Sequence, residues 1–107
     1  MLAALLHEQR FVMIANELIT KAQNLLYDRG LQYGEPTGNH IRIAQLWSAY
    51  LGRGIDPHEV AICMALVKIS RLAEQETNRD SYEDAIAYMA IAGHIALTDF
   101  EGNLDAF

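Results

Sequence analysis

The chain reads as an all-α protein of about four helices. Three observations carry that expectation. Apolar residues recur at three- and four-residue spacings, strand-type alternation occurs nowhere, and two sharp helix starts stand at Asp56-Pro57-His58-Glu59 and Asp80-Ser81-Tyr82-Glu83-Asp84. At 107 residues there is room for one domain, 1–107, closed by an acidic tail at 98–107.

The first helix is expected over 2–27, where Leu6, Phe11, Val12, Ile14, Ala15, Leu18, Ile19, Ala22, Leu25 and Leu26 keep helical spacing. Asp28-Arg29-Gly30 reads as its stop. With two glycines and a proline in seven residues, 32–38 is expected to be irregular, a plain connection ahead of a ligand clamp. Asn39 then serves as N-cap for a helix over 41–51 that places Ile43, Leu46, Trp47 and Tyr50 on one face, before Gly52-Arg53-Gly54 ends it.

Asp56-Pro57-x-Glu59 is the strongest helix start, combining an N-cap, a proline at the first helical position and a reciprocal carboxylate. Eight apolar residues in a row, from Val60 to Val67, predict a central helix covered nearly all round, with Cys63 a buried, inert thiol. Asp80-x-x-Glu83 repeats the capping-box pattern for the last helix. Ala85, Ala87, Ala90, Ala92, Gly93 and Ala96 leave room for a close neighbour. The two helices, about 57–75 and 81–97, are expected to form a central antiparallel hairpin. In the tail, Phe100 and Phe107 are candidates for docking on a partner subunit.

Composition narrows the function classes. A net charge of −6 argues against a nucleic-acid polymer as partner, since phosphate neutralisation needs a basic face. It leaves room for a small anion in a local basic pocket. At 51 % apolar residues, so short a chain is expected to form a homo-oligomer. The longest uncharged run, 85–98, falls short of the ~20 residues that cross a bilayer. No leader pattern opens the chain either, so a soluble intracellular protein without a membrane partner is expected.

The chemistry is expected where charges enter the apolar hairpin. Lys68 and Arg71 are neighbours on one helix face, and Asp80, Asp84 and Tyr88 share a face on the next. Counting outward from the turn brings Arg71 level with Asp84 and Lys68 level with Tyr88. One reading is an Arg71–Asp84 structural pair with Lys68 reaching the surface. The other is an anion pocket in which Lys68 and Arg71 hold phosphate oxygens and Asp84 orients Arg71 or accepts from a sugar or base. Tyr33, Trp47, Tyr50 or Tyr88 would then stack on the base, with Trp47 read first as core. His58-Glu59 lacks the second histidine of a zinc-protease helix, and His94 reads as a hydrogen-bonded core residue. Asp80, Glu83 and Asp84 would need carboxylates from a second element to hold Mg²⁺. No metal or cofactor is therefore expected, and no catalytic set.

Tyr33-Gly34-Glu35-Pro36, Ile43-Ala44-x-Leu46-Trp47-Ser48-Ala49-Tyr50-Leu51-Gly52, Val67-Lys68-Ile69-Ser70-Arg71-Leu72 and Arg79-Asp80-Ser81-Tyr82-x-Asp84 with Tyr88 stand in order along the chain. These blocks resemble a small phage and prophage family known chiefly as a domain of unknown function. More distantly, the chain is similar to nucleotide-modification-associated domains that share a Lys-x-x-Arg helix followed by Asp and Tyr. Those domains often carry Asp before the Tyr-Gly pair, where this chain has Gln32. The resemblance implies a phage setting, hence the cytoplasm of a bacterial host, and a link to nucleotides.

Three functions follow as expectations. The first is binding, without catalysis, of a nucleotide or nucleotide-derived signal, cyclic forms included, by which a phage would sequester a host defence messenger. The second is an Mg²⁺-dependent all-α nucleotide pyrophosphohydrolase of the MazG-like kind, weakened because Glu8 and Glu17 do not form its carboxylate cluster. The third is an acidic protein-binding inhibitor of a host complex.

Overall fold

The computed structural model describes the backbone of residues 1–105 and the side chains of residues 1–98. Four helices, α1 (Leu2–Tyr33), α2 (Thr37–Leu51), α3 (Pro57–Arg71) and α4 (Arg79–Asp105), account for nearly all of it, and no strand occurs among the described residues. The protein is all-α.

α1 runs through the expected stop at Gly30. A single glycine inside a long helix costs only about 1 kcal/mol, too little to end it. The helix ends at Gly34, whose φ of 79° suits glycine and whose N–H donates to the Gly30 carbonyl at 3.0 Å. The irregular stretch expected over 32–38 shrinks to residues 34–36. α2 starts at Thr37 rather than after Asn39, because the Glu35 carboxylate accepts the Thr37 N–H at 3.0 Å and takes the capping role.

α2 ends on Gly52, left-handed at φ 70°. Ser48 Oγ donates to the Ala44 carbonyl (2.7 Å) and accepts the Ile55 N–H (2.9 Å), fastening the connection to α3. Asp56 is extended, and its N–H donates to Glu59 Oε1 at 2.9 Å with Pro57 opening α3, as the sequence pattern expects. After Arg71 the chain turns through 72–78. Asn78, not Asp80, caps α4, its Oδ1 accepting the Ser81 N–H at 3.1 Å. Tyr82 Oη closes the turn on the Glu76 carbonyl at 2.8 Å. α4 continues to Asp105, so most of the expected tail is helical; the Phe100 side chain and Phe107 lie outside the described residues.

The helices form an open row. α3 and α4 share the largest interface, α1 lies along α4, and α2 lies on α3. Glu17 meets Arg79 near one end of the α1–α4 contact and Glu35 meets His94 near the other, so α1 and α4 run in the same direction. The core is mostly alanine, with Ala22, Ala44, Ala61, Ala65 and Ala92 almost wholly buried around the larger Val60 and Ile95.

Because α3 is flanked only by α2 and α4, it is not covered all round. Leu66, Val67 and Ile69 remain exposed, and so does Cys63, contrary to the buried thiol expected from the apolar run. On α2, Leu46 and Tyr50 are also exposed: the side turned inward is set by His40 and Ala44, with Ile43 and Trp47 half-buried. No helix among the described residues is long and apolar enough to cross a membrane.

Candidate functional site

The open row leaves a cleft of about 1060 Å³ where the last turns of α1, the 34–36 turn and the first turns of α2 face the middle of α4. Its lining mixes apolar side chains, Leu25, Leu26, Ala87 and Ile91, with polar ones. Concave sites of this kind, apolar with a few convergent polar side chains, suit small-molecule ligands.

Two arginines line the cleft, Arg29 from α1 and Arg42 from α2. Among the described residues neither lies within salt-bridge distance of a carboxylate. Arg42 stretches back over the first turn of α2, with Nη2 3.5 Å from Asn39 Oδ1. Two carboxylates line the cleft as well, Asp84 on α4 and Glu35 in the 34–36 turn. Asp84 is already matched, its Oδ2 lying 3.1 Å from Lys68 Nζ on α3, with both side chains less than a fifth exposed. Among the described residues that leaves two guanidinium groups without a carboxylate partner and one further carboxylate in the cleft.

Glu35 is that carboxylate. It accepts from the Thr37 backbone N–H and the Thr37 hydroxyl, and His94 Nε2 lies 3.3 Å away. The hydroxyl bond chiefly holds the Glu35 carboxyl below its ordinary value of 4.5; partial burial opposes this, and the Thr37 N–H and His94 assist. The His94 ring is half exposed here rather than in the core. His40 is the buried histidine. Its Nδ1 sits 2.9 Å from the Pro36 carbonyl, and since a carbonyl only accepts, Nδ1 carries the proton.

Of the residues singled out from sequence, Tyr33, Asp84 and Tyr88 line this cleft, Tyr33 at its mouth and Tyr88 half-buried. Lys68 stands behind Asp84 and does not line it. Arg71, the last residue of α3, is exposed, and Trp47 is half-buried on α2; neither lines the cleft. The register expected for the charges is corrected by one helical turn. Residues 72–78 are spent in the turn, so Lys68 rather than Arg71 comes level with Asp84. Arg29, Asn39, His40, Arg42 and His94 were not singled out as site residues. Arg29 was absorbed into a supposed helix stop, and Asn39 into a supposed cap.

A second, smaller hollow of about 480 Å³ lies between α1 and α4, lined by Lys21, Asp28, Asp80, Glu83 and Asp84. Glu83 is buried there. No group of three or more acidic, histidine or cysteine side chains among the described residues is placed to hold a metal ion.

Residues 17–96 match the family described as a domain of unknown function, DUF6378. The chain belongs to the DUF6378 family. The match covers the end of α1, the cleft and most of α4, so the cleft lies within the DUF6378 domain. The domain is similar to the Gene 55 protein of Mycobacterium phage L5, 34 % identical over 87 residues, which are 78 % of this chain and 55 % of the relative. It is likewise similar to the Gene 55 protein of Mycobacterium phage D29, 33 % identical over 90 residues, 83 % of this chain and 60 % of the relative. The chain thus spans little more than half the length of these phage relatives. They agree with the phage family expected from the sequence blocks. No solved structure matches the chain.

Proposed function

We propose that this DUF6378 chain binds a nucleotide or nucleotide-derived signalling molecule, cyclic forms included, in the α1–α2–α4 cleft and holds it without turnover. A phage would use it to sequester a host defence messenger. The observation that carries the reading is the charge balance: among the described residues Arg29 and Arg42 lack a carboxylate partner, while Asp84 is neutralised by Lys68. An anion entering there gains two guanidinium forks. Tyr33 and Tyr88 stand at the same cleft as platforms for a base, and the buried His40 and Asn39 add polar contacts for sugar or base. The similarity to phage proteins supports the setting. In this reading α3 and α4 act as an antiparallel hairpin whose Lys68–Asp84 pair braces the cleft wall, and the protein works as a homo-oligomer.

The pyrophosphohydrolase reading would draw on the second hollow, where Asp28 of α1 lines the same space as Asp80 and Glu83 of α4, although among the described residues no group of three is placed to hold a metal ion. One experiment separates the two. The purified protein is incubated with a panel of nucleotides and cyclic dinucleotides, with and without Mg²⁺, and the free molecules are assayed before and after heat denaturation. Sequestration depletes a ligand and returns it intact on heating. Mg²⁺-dependent new products would replace the binding reading with the enzymatic one.

A further inference from the structure

We propose that residues 2–14 of α1 form a dimerisation arm that seats on the outer face of α3 in a second copy of this chain. The inference names a surface for the self-association in the reading above. It needs no ligand, so its test and the ligand test fail separately.

α1 meets α4 from Ala15 onward, with Ala15, Leu18, Ala22, Leu25 and Leu26 turned inward at helical spacing. Glu17 bonds Arg79, the first residue of α4, at 2.8 Å, so the residues before Ala15 extend past the start of that helix. Thirteen residues make about 20 Å of projecting helix. Each is exposed, including Leu2, Leu5, Leu6, Phe11, Val12, Met13 and Ile14, at 40–71 % of their full surface. Leu2, Leu5, Leu6, Val12 and Met13 fall on one stripe, on the opposite side of α1 from the residues facing α4. Phe11 and Ile14 continue the α4-facing stripe beyond the point where α4 begins.

A second bare apolar surface, one helical turn long, exists on the same chain. Cys63, Leu66 and Val67, at i, i+3 and i+4, form the outer face of α3, opposite the side that bonds α4. The arm of one chain cannot reach its own α3 face, because α1 lies along α4 and points away. A two-fold axis buries both surfaces at once, arm on face and face under arm, as an isologous interface requires.

The areas agree with a dimer. The chain exposes 8174 Å², whereas a compact chain of 12.0 kDa exposes about 6,000 Å². Even if residues 99–107 are granted the whole surface of an unfolded segment, about 1,450 Å², the remainder exceeds a compact chain of its mass by about 1,100 Å². Doubled across two copies, that reaches the range of obligate homodimers.

The test is size-exclusion chromatography with light scattering on the full chain, paired with iodoacetamide labelling of Cys63 followed by mass. The expected result is a mass of two copies, with Cys63 labelled at least about tenfold more slowly than in a monomeric variant. Leu6→Glu/Met13→Glu on the arm, or Val67→Glu on α3, is expected to halve the mass and unmask Cys63 while helicity by circular dichroism is kept. The second variant stands in if the first fails to fold. A monomeric wild-type chain overturns the proposal, as does a dimer that survives both sets of substitutions. A dimer lost by arm substitution with Cys63 equally reactive before and after overturns the seat on α3.

Discussion

Lys68 Nζ lies 3.1 Å from Asp84 Oδ2, and the two side chains are 17 % and 18 % exposed. This contact joins the end of α3 to the start of α4 and leaves Asp84 neutralised where it lines the cleft. Removing one partner strands the other in a largely shielded position. Lys68→Ala and Asp84→Asn are each expected to lower stability by roughly 1–3 kcal/mol, read from urea unfolding. A double-mutant cycle should return a coupling of at least about 0.5 kcal/mol, and an additive result would show that the pair acts as two independent surface charges.

If the cleft holds an anion, its arginines matter more than the Lys-x-x-Arg pair. Arg42→Ala and Arg29→Ala are expected to weaken ligand retention at least about tenfold each, the loss of one charge-assisted contact. Arg71→Ala is expected to leave retention within about twofold. Tyr88→Ala tests the stacking platform and should weaken base-bearing ligands while sparing inorganic pyrophosphate. Equilibrium dialysis against the retained nucleotide gives all four numbers.

Glu35 carries a pH signature. Its carboxyl is held below 4.5 in the folded chain, chiefly by the Thr37 hydroxyl. A depressed acid contributes stability that is complete above its unfolded value and disappears as the pH falls through the folded one. The melting temperature of the native chain should therefore fall below pH 4.5, and Glu35→Gln should flatten part of that limb. The same substitution removes a negative charge from the cleft, so anion retention at neutral pH is expected to rise.

The cap of α4 offers a clean contrast. Asn78→Ala removes the acceptor of the Ser81 N–H and is expected to cost about 1 kcal/mol. Asp80→Ala, one residue inside the helix and exposed, should stay within about 0.5 kcal/mol. Thermal unfolding of the two single variants decides between them.

Ile95 is 1 % exposed and one of the few large side chains wholly enclosed. Ile95→Ala is expected to cost about 2–4 kcal/mol through lost contacts and the cavity left behind. A cost below about 1 kcal/mol in denaturant titration would mean that the neighbouring helices collapse into the space.

What the sequence makes legible here is mostly local. Pro57 and Glu59 mark the start of α3 because capping depends on residues within one turn. The helical class follows from spacing alone. Gly30 and Gly34 look alike in sequence, and only the tertiary arrangement selects the one that takes a positive φ and ends α1. Asp84 and Tyr88 were identifiable as polar positions on an apolar helix. Arg29 and Arg42 were not, since nothing short of the chain path brings the end of α1 and the start of α2 to the same side of α4. The exposure of Cys63 was hidden for a similar reason: eight apolar residues record how many surfaces want cover, not how many helices one chain supplies.

Ala61, Ala65 and Lys68 follow one another on the face of α3 that meets α4, and Ala92 answers them as a buried methyl on α4. A methyl has no torsion to adjust. Where long side chains would let two rods slide and re-mesh, the alanines of this seam let the two helices approach closely. The ammonium at 68 and the carboxylate at 84 inherit that spacing, so the electrical state of one wall of the cleft is tuned by the thickness of an alanine.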